Sequence, residues 1–141
     1  MPELTIGELA RRAGVATSAL RYWEELGLLT APERVSGQRR YPESAVMQVG
    51  AILLRRDAGF SLAQQKALVG ASRGEWQRLH RDKLAELDEQ IAQIQLAREA
   101  ISHGLDCPYE DPRECPNFGR LATARLAGQS LQDAHARLYA R

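Results

Sequence analysis

Along residues 1–70 the apolar positions recur at helical spacing in short runs, each with a marked start and stop. Thr5-Ile6-Gly7-Glu8 reads as a capping box, in which the hydroxyl takes a first-turn N–H and the glutamate reaches back to the cap N–H. It predicts a first helix to about Ala13, stopped by Gly14. Ala16-Thr17-Ser18 predicts a second helix through Arg21, Tyr22, Trp23 and Glu25, with Thr17 or Ser18 as its N-cap and Gly27 as its stop. Leu20 and Leu28 read as core. Thr30 to Tyr41 holds Pro32 and Gly37 among polar residues and predicts a two-stranded wing or an extended loop. Pro42 is expected to open a third helix, with Val46, Val49, Ile52, Leu53 and Leu54 on its apolar side and Gly59 as its close. Ser61-Leu62-Ala63-Gln64 is a second capping box, opening a short helix that Gly70 ends.

After a third such box at Ser72-Arg73-Gly74-Glu75 the pattern changes. Leu84, Leu87, Ile91, Ile94, Arg98, Ile101 and Leu105 fall at alternating spacings of 3 and 4, a heptad seam interrupted only by Arg98. Two readings are open: an amphipathic helix packed on its own domain, or a coiled coil that joins two copies. The narrow stripe, with no partner elsewhere in so short a chain, favours the second. A charged residue at one seam position lowers stability but fixes register. Beyond it, three prolines between Cys107 and Pro116 predict an irregular loop, and Arg120–Arg141 reads as a short helix or a frayed tail.

Composition narrows the class. Hydrophobic residues make up 44% of the 141 residues and charged residues 26%, enough to bury a core. No apolar run is long enough for a membrane span, and the first residues carry acids in place of an apolar signal segment, so a cytoplasmic protein with no membrane partner is expected. Two cysteines do not make a disulfide framework. The net charge of +1 says nothing about partners, but its distribution does. From Arg11 to Arg56 there are eight arginines against Glu24, Glu25, Glu33 and Glu43.

Helix, tight turn, helix and basic wing make a winged helix-turn-helix plan. Thr17, Ser18 and Arg21 sit at the start of the second helix, where recognition helices present base-contacting side chains. Tyr22 and Trp23 offer a phenol and an indole N–H to phosphates; Arg39, Arg40 and Tyr41 lie on the wing, and Arg55 and Arg56 end the third helix. Each has a plainer alternative: Tyr22 or Trp23 as core, Thr17 or Ser18 as a cap, Arg55 and Arg56 as solvated charges.

Three strings now carry a resemblance: TIGELARRAGVATSALRYWEELGLL, SGQRRYPESAV and LLRRDAGFSLAQQKALV. Residues 4–70 resemble the DNA-binding domain of the MerR family of bacterial transcriptional regulators, and the seam helix resembles that family's antiparallel dimerisation helix. The implied fold is mainly α: a winged helix-turn-helix over 1–70, a connector and coiled-coil dimerisation helix over 71–105, and a cysteine loop with a short tail over 106–141. The resemblance assigns DNA contacts to Arg21, Tyr22, Arg39, Tyr41 and Arg56; Trp23 replaces the commoner Tyr or Phe. It implies a homodimer on a palindromic promoter operator whose two polymerase elements lie too far apart, which the activated protein bends and untwists so that RNA polymerase engages both. The dimerisation residues expected on this reading are Leu84, Leu87, Ile91, Ile94, Ile101 and Leu105.

Cys107 and Cys115 lie just after the seam helix, separated by seven residues and each followed by proline. The family's copper-efflux regulator has the same spacing and prolines. Two converging thiolates suit a soft monovalent ion such as Cu(I), Ag(I) or Au(I). Zinc would need further ligands, His103 or a residue of a second copy. Around Glu75-Trp76 the chain is closer to the superoxide-sensing iron–sulfur member, but that member has four loop cysteines, so no iron–sulfur cluster is expected here. Three readings stay open: a soft-metal site, a reversible dithiol switch, or cysteines that are not the input. No catalytic motif stands out. The rivals from other classes are a thiol redox protein or metal buffer, which the missing C-x-x-C disfavours, and an excisionase-like architectural DNA-binding factor, which the long seam disfavours.

Overall fold

Local capping sets the first elements. In the computed structural model, which describes residues 3–139, Thr5 Oγ1 accepts from the Glu8 N–H at 3.2 Å and Glu8 Oε2 accepts from the Thr5 N–H at 2.9 Å. This box opens α1 (Ile6–Ala13), which Gly14 closes in the left-handed conformation. The Thr5 N–H also holds the Glu8 carboxyl below the ordinary glutamate range.

Helix α2 (Thr17–Glu25) departs from the expected cap. Its N-cap is Ala16, with no side-chain hydrogen bond. The chain turns helical one residue earlier than a hydroxyl cap would require, so Thr17 and Ser18 already lie in the first turn. An alanine cap forgoes about 1 kcal/mol, and burial of Leu20 and Trp23 holds the helix instead.

The wing is a hairpin of β2 (Glu33–Val35) and β3 (Gln38–Pro42). Ser36 and Gly37 both adopt positive φ, 53° and 78°, the signature of a tight turn whose twist matches the strands. A third strand, β1 (Glu3–Leu4), pairs with the far edge of β3, giving the antiparallel order β1-β3-β2. Pro42 therefore ends a strand, opposite Glu3, and does not open the next helix. Having no N–H, it suits a strand terminus. Helix α3 (Ser44–Asp57) begins two residues later and buries Ala45, Val49 and Ile52. Leu54 lies off that face and is exposed, contrary to expectation.

Leu4, Leu9, Leu20, Trp23, Leu29, Tyr41, Val49 and Ile52 form one core beneath the wing and the two short helices. A fully buried leucine in it contributes about 1.5–3 kcal/mol. Helix α4 (Leu62–Leu68) starts with the Ser61/Gln64 capping box, and buried Gln65 Nε2 donates to the Ile52 carbonyl at 3.2 Å.

Helix α5 (Arg73–Asp106) is continuous and opens where Ser72 Oγ accepts from the Glu75 N–H. After the loop at 107–111 come a single 3-10 turn (Pro112–Glu114), α6 (Pro116–Leu126) and α7 (Leu131–Tyr139). The tail, expected as a short helix or a frayed end, is thus a hairpin of two helices; residues 140–141 of that tail lie outside the described residues. The chain divides into two compact units, Met1–Arg81 and Asp82–Arg141, with the division inside α5. No helix among the described residues is long and apolar enough to cross a membrane.

Candidate functional site

Helix α2 separates the candidate contact residues into two groups. Leu20 and Trp23, three apart, share the buried face, whereas Arg21, Ser18 and Tyr22 turn outward. Tyr22 is 50% exposed and Trp23 only 5%. Trp23 is therefore a core residue, and its indole is removed from the candidate contact surface. Thr17 is half-buried.

On the wing, Tyr41 is also a core residue: it is fully buried, and its hydroxyl donates to Glu24 Oε2 at 2.9 Å. Its hydroxyl is thus turned to Glu24 inside the fold, contrary to the expectation that it offers itself to a phosphate. Arg39 and Arg40 are half-buried; the Arg39 Nε lies 3.5 Å from Glu24 Oε2, and Arg40 stands opposite Glu33 across the hairpin. Arg56 is exposed, its Nε 3.9 Å from Asp57 Oδ1, and Arg55 is half-buried. Sequence reasoning gave Glu24 no task beyond a place in the count of acids.

Burial pushes the Tyr41 phenol up to about 12, and the Glu24 carboxylate beside it adds to the rise. The folded value lies above the unfolded one, so the stabilisation is complete below about 10 and is lost as pH rises toward about 12. Tyr41→Phe is expected to lower stability at neutral pH by about 1.5–3 kcal/mol, the value of a hydrogen bond to a charged group. It should also abolish the alkaline loss, so that wild-type and variant urea midpoints converge as pH rises. A gap that stays constant through the alkaline range would contradict this assignment.

The seam of α5 is bare. Leu84, Ile91, Ile94, Ile101 and Leu105 are 52–85% exposed, Leu87 is half-buried and Arg98 is exposed. Lys83, off the seam, is buried and bonds Glu86 Oε2 at 2.9 Å.

Within the second unit, both cysteines line a cleft of about 520 Å³ with His103, Tyr109, Phe118, His135 and Tyr139. Both thiols are free and half-buried. Asp111 shapes the loop between them: its Oδ1 accepts from the Arg113 N–H at 2.9 Å, and its Oδ2 pairs with Arg113 Nη2 at 2.7 Å. Arg113 holds the Asp111 carboxyl below the usual range. Cys115 occupies the N-cap position of α6 without a side-chain cap hydrogen bond of ordinary geometry. The amide of Phe118 nevertheless draws its thiol below the ordinary range; slight burial opposes this, and the Cys107 thiol and the Asn117 amide assist. Unpaired donors at a helix start act on a nearby sulfur in this way.

His103 stacks on Tyr139, ring centroids 4.7 Å apart and nearly parallel, and His135 lies against both. His135 is buried, with Nε2 3.9 Å from Glu99 Oε2. In the sequence His103 entered only as a further ligand for zinc and His135 had no role, since nothing local signals that α7 folds back beside α5. Among the described residues no three His, Cys, Asp or Glu side chains are grouped so as to hold a metal ion.

Residues 5–41 match the family described as "MerR family regulatory protein", and residues 46–104 match "MerR, DNA binding". The HTH-type transcriptional regulator HmrR of Sinorhizobium medicae is 30% identical over 127 residues, covering 84% of this chain and 86% of that protein. The HTH-type transcriptional regulator CueR of Salmonella typhi is 26% identical, with 84% and 92% covered. The crystal structure of the transcription regulator PbrR691 from Ralstonia metallidurans, in complex with lead(II), superposes with a TM-score of 0.63 at 25% identity, over 84% of this chain and 98% of that one.

Proposed function

The chain belongs to the MerR family and is a transcriptional regulator of that type, and on that premise we propose that it works as a homodimer that reads a palindromic promoter and takes its input at Cys107 and Cys115. The observation that carries the reading is the exposure of Arg21 and Tyr22 on α2, beside a wing bearing Arg39 and Arg40. An exposed arginine near the start of such a helix can reach a guanine edge, and a phenol can bond a phosphate. Ser18 and Arg56 add polar and cationic contacts at the edge of the same unit. Promoter DNA as target places the protein in the cytoplasm.

A dimer sets two such heads a fixed distance apart, which is what a palindrome requires. The bare seam of α5 is the surface proposed to join the copies, and it favours a dimeric regulator over a monomeric architectural factor. Strain applied along α5 would change the separation of the heads and so distort the promoter for RNA polymerase, at a deformation cost of a few kcal/mol.

The donor set at the loop suits a soft monovalent ion. Two thiols share one cleft, and no third donor is grouped with them among the described residues. Cu(I), Ag(I) and Au(I) accept two sulfur ligands, whereas zinc asks for four. Cys107 and Cys115 would hold the ion, which would supply a covalent tie between the start of the loop and the start of α6. The lead(II) bound in the PbrR691 structure supports a metal as the class of effector, without saying which metal.

The test of the DNA face is selection of a duplex from a random library by the wild-type protein. Arg21→Ala should then weaken binding of the selected duplex by about 1–3 kcal/mol at matched salt. Unchanged affinity would remove Arg21 from the contact set, and failure to enrich any duplex would sink the reading as a whole.

A further inference from the structure

We infer that Glu24 is a positioning residue for the DNA-binding face, one carboxylate that ties the wing strand to the recognition helix and sets where Arg39 lies. The inference rests on the DNA-binding reading above. Glu24 is on α2 and its side chain is only 17% exposed. A single oxygen, Oε2, receives the Tyr41 hydroxyl at 2.9 Å and faces the Arg39 Nε at 3.5 Å. Both partners come from β3, two residues apart, so the strand's alternation sends both side chains to one face. Arg40, between them, goes to the other face, opposite Glu33.

Charge gives the carboxylate a second task. The hairpin register sets Arg34 directly opposite Arg39, two cations across one pair. Like charges so placed push strands apart. Glu24 is the acid that meets Arg39, and without it the wing would carry the repulsion uncompensated. The grip on Arg39 is loose: its Nε is buried but makes no full hydrogen bond among the described residues. Tyr41 is thus held firmly and Arg39 is held by charge. An arriving phosphate can draw the Arg39 guanidinium over without unseating the strand.

Such a residue affects specificity more than adhesion. Its negative charge beside the contact surface opposes phosphates of any sequence, while its hold on the wing improves the fit to one sequence. Glu24→Gln keeps an acceptor for Tyr41 and removes the charge. For the duplex selected by the wild-type protein its affinity should fall about tenfold, while a scrambled duplex of equal length binds as tightly as before or more tightly. In the free protein, Glu24→Ala should speed amide hydrogen exchange across residues 33–41 by about tenfold or more and leave α6 and α7 unchanged. An unchanged ratio between the two duplexes, a parallel loss for both that follows a lowered Tm, or a hairpin whose exchange does not change would each overturn the inference. A wild-type protein that prefers no duplex would sink the DNA-binding reading itself. The exchange measurement, made without DNA, separates that failure from a failure of the Glu24 clasp.

Discussion

The wild-type protein is expected to sediment as a dimer and the double variant Leu87→Asp, Ile94→Asp as a monomer at the same concentration, with its helix content unchanged. The seam holds six apolar residues, at 84, 87, 91, 94, 101 and 105, over three heptads of α5. Had this helix packed on its own domain, those side chains would be covered within one chain. Five of the six are instead more than half exposed, Leu105 at 85%. Covering a leucine or isoleucine gains about 1.5–3 kcal/mol. The pair of substitutions removes two such contributions from each copy and asks four carboxylates to leave water, which costs several kcal/mol more unless they are paired. The core of the first unit contains neither residue, so its melting should be nearly unaffected. A dimer that persists would place the interface on another surface. Arg98 gives a companion check: Arg98→Leu should tighten the dimer and loosen its register, since a lone polar seam residue trades stability for alignment.

What could be read from the chain beforehand follows the range of the interactions. The boxes at Thr5/Glu8 and Ser61/Gln64 close over three residues, and both form as written. The seam of α5 is a period and needs no partner to be seen. Where two chemically similar neighbours compete for one face, the pattern does not choose: Tyr22 and Trp23 are both amphipathic aromatics, and only the contact with Leu20's side of α2 puts Trp23 inside. The same holds for Tyr41, whose phenol looks like a phosphate donor until Glu24, seventeen residues earlier, is seen to take it. Strand β1 is two residues long, and its pairing with Pro42 spans nearly forty residues of chain, so no local signal marks either end. Likewise the cluster of His103, His135 and Tyr139 exists only because α7 returns beside the end of α5.

Cys115→Ser should abolish tight binding of a monovalent soft ion, the largest chemical effect expected of any single substitution here. A hydroxyl is a poor ligand for Cu(I) or Ag(I), and with only two sulfurs in the cleft the loss of one leaves a single ligand. The measurement is an anaerobic titration of the reduced protein with Ag(I), Cu(I) and Zn(II), with thiols counted before and after mild oxidation. The wild-type protein should take one monovalent ion per chain, and Cys115→Ser and Cys107→Ser should each bind at least a hundredfold more weakly, a difference of about 2.7 kcal/mol. His103→Ala should leave stoichiometry and affinity unchanged, because the imidazole is stacked on Tyr139 and belongs to no three-donor group with the cysteines. Zinc should bind weakly, since two thiolates leave half of its tetrahedron to water. Tight zinc binding that His103→Ala removes would replace the two-sulfur site with a mixed one. Loss of both thiols on mild oxidation, reversed by reductant and without any tight metal, would make the loop a dithiol switch. Both thiols are free, line one cleft and flank the loop that Asp111 and Arg113 shape, so either outcome would act on the same pair. Metal binding and thiol oxidation consume the same two sulfurs, so saturation with Ag(I) should protect both thiols from oxidation if the ion sits where the structure puts the pair.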